Sequence, residues 1–516
     1  MTVIEAEVHT YLRSFLRNQP HLRWPHHLTM ARLVARALRL KRPALMQTGT
    51  GDGYCFSYLT PALLFARPVI VVAPETKQKQ LLESAIPQLK EWLDTNTPVK
   101  VWDEGETVSA QDYSGLILVS PQDWLRDRVF ETGYFPPEMP TIFDEADDLE
   151  TWARETLTLR FSTPHWNQLL YDYPQHGEVI RDVHVELTKM LYNRPQNPYE
   201  CLLLNQPEQD ILKRLFVVFK EVAPKHHFCQ FFRQAQQANQ LFWAEIHRET
   251  GEFAIACCPV SVAEILAPIW TKQPTVFIGG FLDWEKEAPV YRQKLGLGEM
   301  TCLRFSRDRN HDAIQLYIPE GLPMPNTPTF QPALQDKLRH LITEADFKQN
   351  LVVILVSDVP LKRQIATDLA GEFGSRVRLE NTQLKENGIL VCSWEFWRQH
   401  QQALAIPQLL IMTTIPLPSL ENPVVAGQVA YYKQKRQDWF RLYLLPTALR
   451  ELQRAVEPLR ETQGVTALLD SRISRRSYGK TILSALEPYV RVGDWNVVRQ
   501  LLRFDLDDSV GVESNF

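Results

Sequence analysis

The sequence predicts an α/β chain built on parallel sheets whose faces are covered by helices. Two short apolar runs carry the prediction, "PVIVVAP" (Pro68–Pro74) and "GLILVSPQDWL" (Gly115–Leu125), each followed by a helix-forming segment. Fully apolar strands that alternate with helices belong to a sheet buried on both sides. A third observation is "LMQTGTGDGY" (Leu45–Tyr54), an apolar strand and a Gly/Thr turn that leads into "CFSYLTPALLFA", which reads as a helix. Strand, tight turn and helix frame a phosphate-binding loop, in which backbone N–H groups and the helix N-terminus face an anion.

Taken in order, residues 1–42 read as helical, with Arg32, Arg36, Arg39, Lys41 and Arg42 before the loop. These form either a solvated helix face or a nucleic-acid contact. The candidate phosphate loop is Thr48, Gly49, Thr50, Gly51, Asp52 and Gly53. A complete loop of this kind ends in Gly-Lys-Ser/Thr, with the Lys on the β/γ-phosphates and the hydroxyl on Mg²⁺. Asp52 and Gly53 stand at those two positions. One unit-charge pair at about 4 Å and an effective dielectric near 20 is worth roughly 4 kcal/mol. Lost attraction and new repulsion together approach roughly 8 kcal/mol before screening. A quarter of that is already more than a tenfold loss of affinity, at about 1.4 kcal/mol per factor of ten. The alternative is an ordinary strand–helix turn.

"PTIFDEADDLE" (Pro140–Glu150) ends a further strand in acid. Ligands of parallel sheets bind beyond the carboxyl ends of the strands, where both this segment and the 48–53 loop fall. In a nucleoside triphosphatase Asp144 would orient Mg²⁺ and Glu145 would polarise the attacking water. A solvated acidic turn is the plain alternative, and the P-loop-shaped turn upstream favours the functional one.

At 516 residues the chain is long enough for two to four domains. Its 44% hydrophobic and 23% charged residues are ordinary for a soluble globular protein. A net charge of −5 provides no global basic field, so any nucleic-acid surface is a local groove. Cys55, Cys201, Cys229, Cys257, Cys258, Cys302 and Cys392 are scattered and contain no C-x-x-C pair, against a disulfide framework or zinc ribbon. The N-terminus has no signal-peptide core, and no apolar run has the length of a membrane span. A cytoplasmic protein with no membrane partner is expected.

Beyond the acidic strand end, "HGEVIRDVHVELTKMLY" and "QPEQDILKRLFVVFKEV" carry apolar residues at helical spacing. In "PKHHFCQFFRQAQQANQLFW", Lys225 and Arg233 interleave with Phe228, Phe231 and Phe232. That mixture suits base stacking and phosphate contact, and equally an amphipathic core helix. "KQKR" supplies Lys433, Lys435 and Arg436 as further candidate contacts, with solvated surface charge as the alternative.

In series, "QTGTGDG", "VIVVAPETKQKQLLES", "LILVSPQDWL" and "FDEADDLE" resemble the first motor domain of DinG/XPD-like superfamily 2 DNA helicases. "FWAEIHRETGEFAIACCPVSVAEILAPIW" resembles the segment that returns to that domain, and "TVFIGGFL" stands where the family has a strand ending in Ser-Ala-Thr. "NLVVILVSD", "GILVCSWEFWRQ", "LLIMTTIPLPSLENP" and the segment from "WFRLYLLP" to "TILSAL" resemble the second motor domain. The resemblance implies two RecA-like parallel-sheet domains, with a helical, arch-like insertion in the first. The expected boundaries are 1–150 and 241–325 for the first domain, 151–240 for the insertion, 326–490 for the second domain and 491–516 for an acidic tail.

The resemblance also implies ATP and Mg²⁺ as cofactors, with catalytic roles for Asp144, Glu145, Gln453 and Arg460. The departures cluster on that chemistry. Besides Asp52 and Gly53, Gly279-Gly280-Phe281 replaces Ser-Ala-Thr, Arg398-Gln399 replaces Glu-Gly, and Val456-Glu457 replaces Gly-Arg. The missing Arg would be an arginine finger, a group worth roughly 10³–10⁵ in rate. Asp147 stands where the family has His. The family's iron–sulfur cysteines have no counterpart between Phe56 and Asp144, so no iron–sulfur cluster is expected. The expected function is a DinG-like helicase-fold protein that binds single-stranded nucleic acid, with ATP hydrolysis impaired. An active ATP-dependent DNA helicase with a variant loop is the alternative, and a scaffold for a protein partner, binding neither nucleotide nor DNA, is a third.

Overall fold

The computed structural model describes residues 4–493 except 21, 23, 50–52, 109–112, 307–311, 345–350 and 386. Helices Ile4–Arg17 and His27–Leu40 form where apolar residues recur at helical spacing, burying Val8, Leu12, Phe15, Met30, Val34 and Leu38. The strands β1 (Ala44–Gln47), β2 (Val69–Val72), β3 (Val99–Val101), β4 (Leu116–Val119) and β5 (Thr141–Phe143) follow. An insertion then carries β6 (Leu159–Phe161), β7 (Cys201–Leu203), β8 (Gln240–His247) and β9 (Glu252–Pro259) among four α-helices. The chain returns through helix Ala263–Lys272 to β10 (Thr275–Gly279) and β11 (Thr301–Arg304). The seven strands of the first sheet run in the order β11-β1-β10-β5-β2-β4-β3, all parallel.

Alternate residues explain why β2 and β4 read as unbroken apolar runs. Val69, Val71, Leu116 and Leu118 face one core, shared with the first two helices. Ile70, Val72, Ile117 and Val119 face a second core, with Trp124 and Trp270. Both faces are dry. The second sheet comprises β12 (Ile314–Tyr317), β13 (Val352–Leu355), β14 (Val377–Leu379), β15 (Ile389–Cys392), β16 (Leu409–Met412), β17 (Val465–Leu468) and β18 (Tyr489–Val492). Its order is β14-β15-β13-β16-β17-β12-β18, again all parallel. These are the two RecA-like domains that the sequence implies.

The boundaries move in three places. The insertion does not stop at 240, because β8 and β9 form a hairpin in a four-stranded antiparallel sheet, β6-β9-β8-β7. The insertion is therefore more than helical: helices Gly177–Asn193 and Gln206–Val222 contribute to one core with residues of that sheet. The second domain starts before 326, since β12 lies between β17 and β18. At the other end β18 reaches Val492, and residues 494–516 of the expected acidic tail lie outside the described residues.

The insertion's sheet also touches the second domain. Leu241, Trp243, Ala256 and Cys258 pack with Tyr431, Val424 and Tyr432 of helix Pro423–Gln434. Gly427 of that helix sits so close that an added Cβ meets Leu241 Cδ2 at 2.6 Å. Gly427→Leu is expected to overpack this contact and cost about 1–3 kcal/mol. A lowered thermal midpoint of the insertion, read by local hydrogen exchange at β8, is the check.

Candidate functional site

The site lies at the carboxyl ends of β1, β5 and β10. Thr48 is buried, and its N–H and Oγ1 both donate to the carbonyl of Gly279, at 2.9 and 3.1 Å. Gly49 N–H donates to Gly280 O at 3.1 Å. Its φ of +70° puts it in the left-handed region, where glycine is unstrained. Thr50, Gly51 and Asp52 lie outside the described residues. Gly53 also has positive φ, +78°, and helix Cys55–Leu64 starts two residues later.

Asp144 is fully buried at the end of β5. Tyr54 Oη donates to its Oδ1 at 2.6 Å and Tyr58 Oη to its Oδ2 at 2.6 Å. The backbone N–H of Glu145 adds a bond to Oδ1 at 2.9 Å. Tyr54 and Tyr58 stand four residues apart across the start of one helix, a spacing that places both on the same face. Sequence reasoning passed over them; an i, i+4 tyrosine pair just after the loop was the available signal. Burial, then the charge of Asp144, holds both phenols well above their usual pKa, so both remain donors.

Glu145 has φ of +55°, a conformation uncommon for a residue with a Cβ. Burial and then the neighbouring Asp144 charge push its carboxyl up to about 7, against the pull of Lys77 and Arg454. Asp147 is a structural residue: its carboxylate accepts from Gly280 N at 2.9 Å and Phe281 N at 2.7 Å. A Cβ on Gly279 would run into that carboxylate, which explains glycine there.

Helix Leu445–Glu461 of the second domain closes over these strand ends. Arg450 Nη1 donates to Asp147 O at 2.5 Å, and Arg454 forms an ion pair with Asp148 at 2.8 Å. Gln453 Nε2 reaches Gly49 O at 3.3 Å and Gly280 O at 3.5 Å. Burial opposes ionisation of Asp148, but Arg454 and Arg450 outweigh it and hold the carboxyl at about 2. Beside these contacts lies a cleft of about 790 Å³ lined by both domains, including Gly49, Phe281, Arg304, Gln453 and Arg491.

Asp144, Glu145, Thr48, Gly49 and Gln453 thus meet at one place. Arg460 does not join them. Its buried guanidinium donates to the main-chain carbonyls of Asp312, Leu486, Glu487 and Pro488, where it ties the β12 and β18 ends together. Arg450 and Arg454 are the cations that face the first domain instead. Glu457, at the finger position, lies 3.8 Å from Arg460 Nε. Arg398 pairs with Glu451 at 3.3 Å within the second domain.

The expected nucleic-acid contacts fall in two units. Lys225 and Arg233 are exposed on the insertion, where Arg233 donates to Pro224 O at 2.8 Å. Phe228, Phe231 and Phe232 are buried in the insertion's core, which overturns the reading of them as base-stacking groups. Their helical spacing was the signature of a core-facing stripe. Lys433, Lys435 and Arg436 are exposed at the end of helix Pro423–Gln434 in the second domain.

Among the described residues, no group of three or more His, Cys, Asp or Glu is arranged to hold a metal ion. All seven cysteines are buried. No described helix is long and apolar enough to cross a membrane.

The Helicase C-terminal domain family matches residues 376–489. The ATP-dependent DNA helicase YoaA of Escherichia coli K12 is 23% identical over 279 residues, 51% of this chain and 43% of that protein. The 3'-5' exonuclease DinG of Bacillus subtilis is 22% identical over 289 residues, 50% of this chain and 31% of that protein. An XPD helicase structure superposes with a TM-score of 0.61 at 12% identity, over 90% of this chain and 99% of that one. The chain thus resembles the DinG/XPD-like superfamily 2 helicases in sequence, and XPD in fold. A second structure, Xpd4 from S. tokodaii, gives a TM-score of 0.59 at 12% identity, over 91% of this chain and all of that one. The match spans less than half the length of either curated relative.

Similarity to these helicases implies ATP and Mg²⁺, and the acid that would face the cation is crowded by hydrogen bonds. A hard cation is held by carboxylate oxygens, and those of Asp144 already accept from the two buried phenols and the Glu145 N–H, three of a carboxylate's about four acceptor sites. Freeing them would leave two buried hydroxyls unpaired, each at a cost of about 1–3 kcal/mol. Gly53 offers no hydroxyl in compensation.

Two predictions test this geometry. Because the folded pKa of Glu145 is raised from 4.5 to about 7, the folded state binds the extra proton. Its destabilising effect is absent below pH 4.5, grows between 4.5 and 7, and is complete above 7. Glu145→Gln is therefore expected to raise the thermal midpoint at pH 8, with the gain vanishing by pH 4.5. Arg454→Glu is expected to separate the two RecA-like domains, and Asp148→Arg added to it to rejoin them. The radius of gyration in solution scattering reports both changes.

Proposed function

We propose that this protein is a DinG-like pseudohelicase: it binds single-stranded nucleic acid through the helicase fold and hydrolyses ATP negligibly or not at all. The observation that carries this reading is the Tyr54–Asp144–Tyr58 arrangement, in which both oxygens of the acid that would orient Mg²⁺ already accept hydrogen bonds from buried phenols. Asp52, Gly53 and Glu457 add to it, since each removes a group that phosphoryl transfer requires. The binding half rests on similarity to these helicases and on the exposed cations of the second domain, with Lys225 and Arg233 as candidate contacts from the insertion. A soluble, cytoplasmic location accords with this role.

One observation favours the alternative of an active helicase. Glu145, with a carboxyl near 7, is poised as a general base at neutral pH.

ATP turnover by the full chain, with and without single-stranded DNA, separates the readings. The expected outcome is no DNA-stimulated hydrolysis. Asp52→Lys with Gly53→Thr, Tyr54→Phe and Tyr58→Phe is expected to recover part of the ATP binding and little turnover, because no arginine finger is restored. Robust hydrolysis by the unmodified chain, abolished by Glu145→Gln, would establish the motor instead.

A further inference from the structure

The second domain carries a surface that none of the family motifs accounts for. Helix Pro423–Gln434 ends at Lys435, the turn after it leads into the π-helical segment Phe440–Leu444, and helices Arg472–Arg475 and Gly479–Leu486 lie alongside. Three partly exposed aromatic rings follow one another across it. Trp439 and Phe440 have centroids 6.2 Å apart, and Phe440 and Tyr478 are 4.8 Å apart. Phe440 and Tyr478 lean on the domain's core, whereas Trp439 belongs to none of the hydrophobic clusters among the described residues.

The charges around these rings are mainly cationic. Lys433 Nζ lies over the Trp439 ring, 5.3 Å from its centroid, and Lys435 Nζ lies over Tyr431 at 4.5 Å. Arg436, Arg475, Arg476 and Lys480 are exposed. None of these six cations forms an ion pair with a described carboxylate; Asp438, paired with Arg441 at 3.6 Å, is the local acid. A solvated face of mixed charge would pair its lysines with acids. Lys433 and Lys435 rest instead on aromatic faces, where the ring quadrupole holds them.

We propose that Trp439, with Phe440 and Tyr478 beside it, is a stacking platform for the bases of single-stranded nucleic acid, and that Lys433, Arg436, Arg475 and Arg476 hold the phosphates on either side. The inference rests on the nucleic-acid-binding reading above and names where that binding occurs. Stacking requires a flat ring with one face accessible and needs no particular base. Backbone contact requires cations within a nucleotide's reach of that ring. The two contributions differ in their salt dependence: ionic contacts release counterions, and stacking does not.

The test is fluorescence anisotropy of the full chain with labelled oligo-dT and oligo-U across a salt series. Trp439→Ala is expected to weaken binding about 5- to 150-fold, corresponding to about 1–3 kcal/mol for one stacked base, with the salt slope unchanged. Trp439→Phe should retain most of the affinity. Lys433→Ala with Arg436→Ala should flatten the log–log salt slope by about 1.4, at about 0.7 per phosphate contact. Photocrosslinking of a 5-bromouracil oligonucleotide to the unmodified chain should label the peptide containing Trp439, a readout independent of how any variant folds. Binding by the unmodified chain with Trp439→Ala indistinguishable from it, or crosslinks confined to other segments, overturns the platform and leaves the reading intact. Failure of the unmodified chain to bind either oligonucleotide at low salt overturns both.

Discussion

A buried carboxylate has to be satisfied, and in this protein Asp144 is satisfied by the hydroxyls of Tyr54 and Tyr58. The consequences spread in both directions along the chain. The helix after the phosphate loop is tied by its first turns to the end of β5. With Asp144 so occupied, the neighbouring Glu145 is left beside a negative charge and partly out of water, and its carboxyl rises to about 7. One pair of hydrogen bonds thus holds the strand ends in place.

The second domain meets the first through side chains acting on backbone and acid. Arg450 and Gln453 address carbonyls of the strand-end loops, and Arg454 addresses Asp148. Ion pairs at exposed sites are worth little, but this one is partly buried and supported by Arg450. Domain contact in this chain is made by its own residues at the carboxyl ends of the first sheet's strands.

Departures from the family pattern are also mutually consistent in space. Asp147 in place of His takes the N–H groups of Gly280 and Phe281, and Gly279 in place of Ser gives that carboxylate room. Neither substitution is a loose end. Each makes the other possible, which is the behaviour of a loop refitted for structure.

Whereas the second sheet was legible only through the resemblance, the apolar runs of β2 and β4, the glycines at Gly49 and Gly53 and the acid after β5 determined a parallel α/β sheet with covered faces and the location of the cleft by themselves. These are local rules: a strand buried on both faces must be apolar along its length, and a left-handed turn favours glycine. What Asp144 touches is set by the angle at which helix Cys55–Leu64 leaves the loop, and no local rule contains that angle. The insertion's sheet was hidden for a similar reason, since β6 and β7 are three residues each and gain their meaning only by pairing with β9 and β8. Arg460 was assigned to the cleft by its place in a motif, yet a helix turns about 100° per residue. Packing alone decided that Arg450, Gln453 and Arg454 face the first domain while Arg460 holds the far edge of its own sheet.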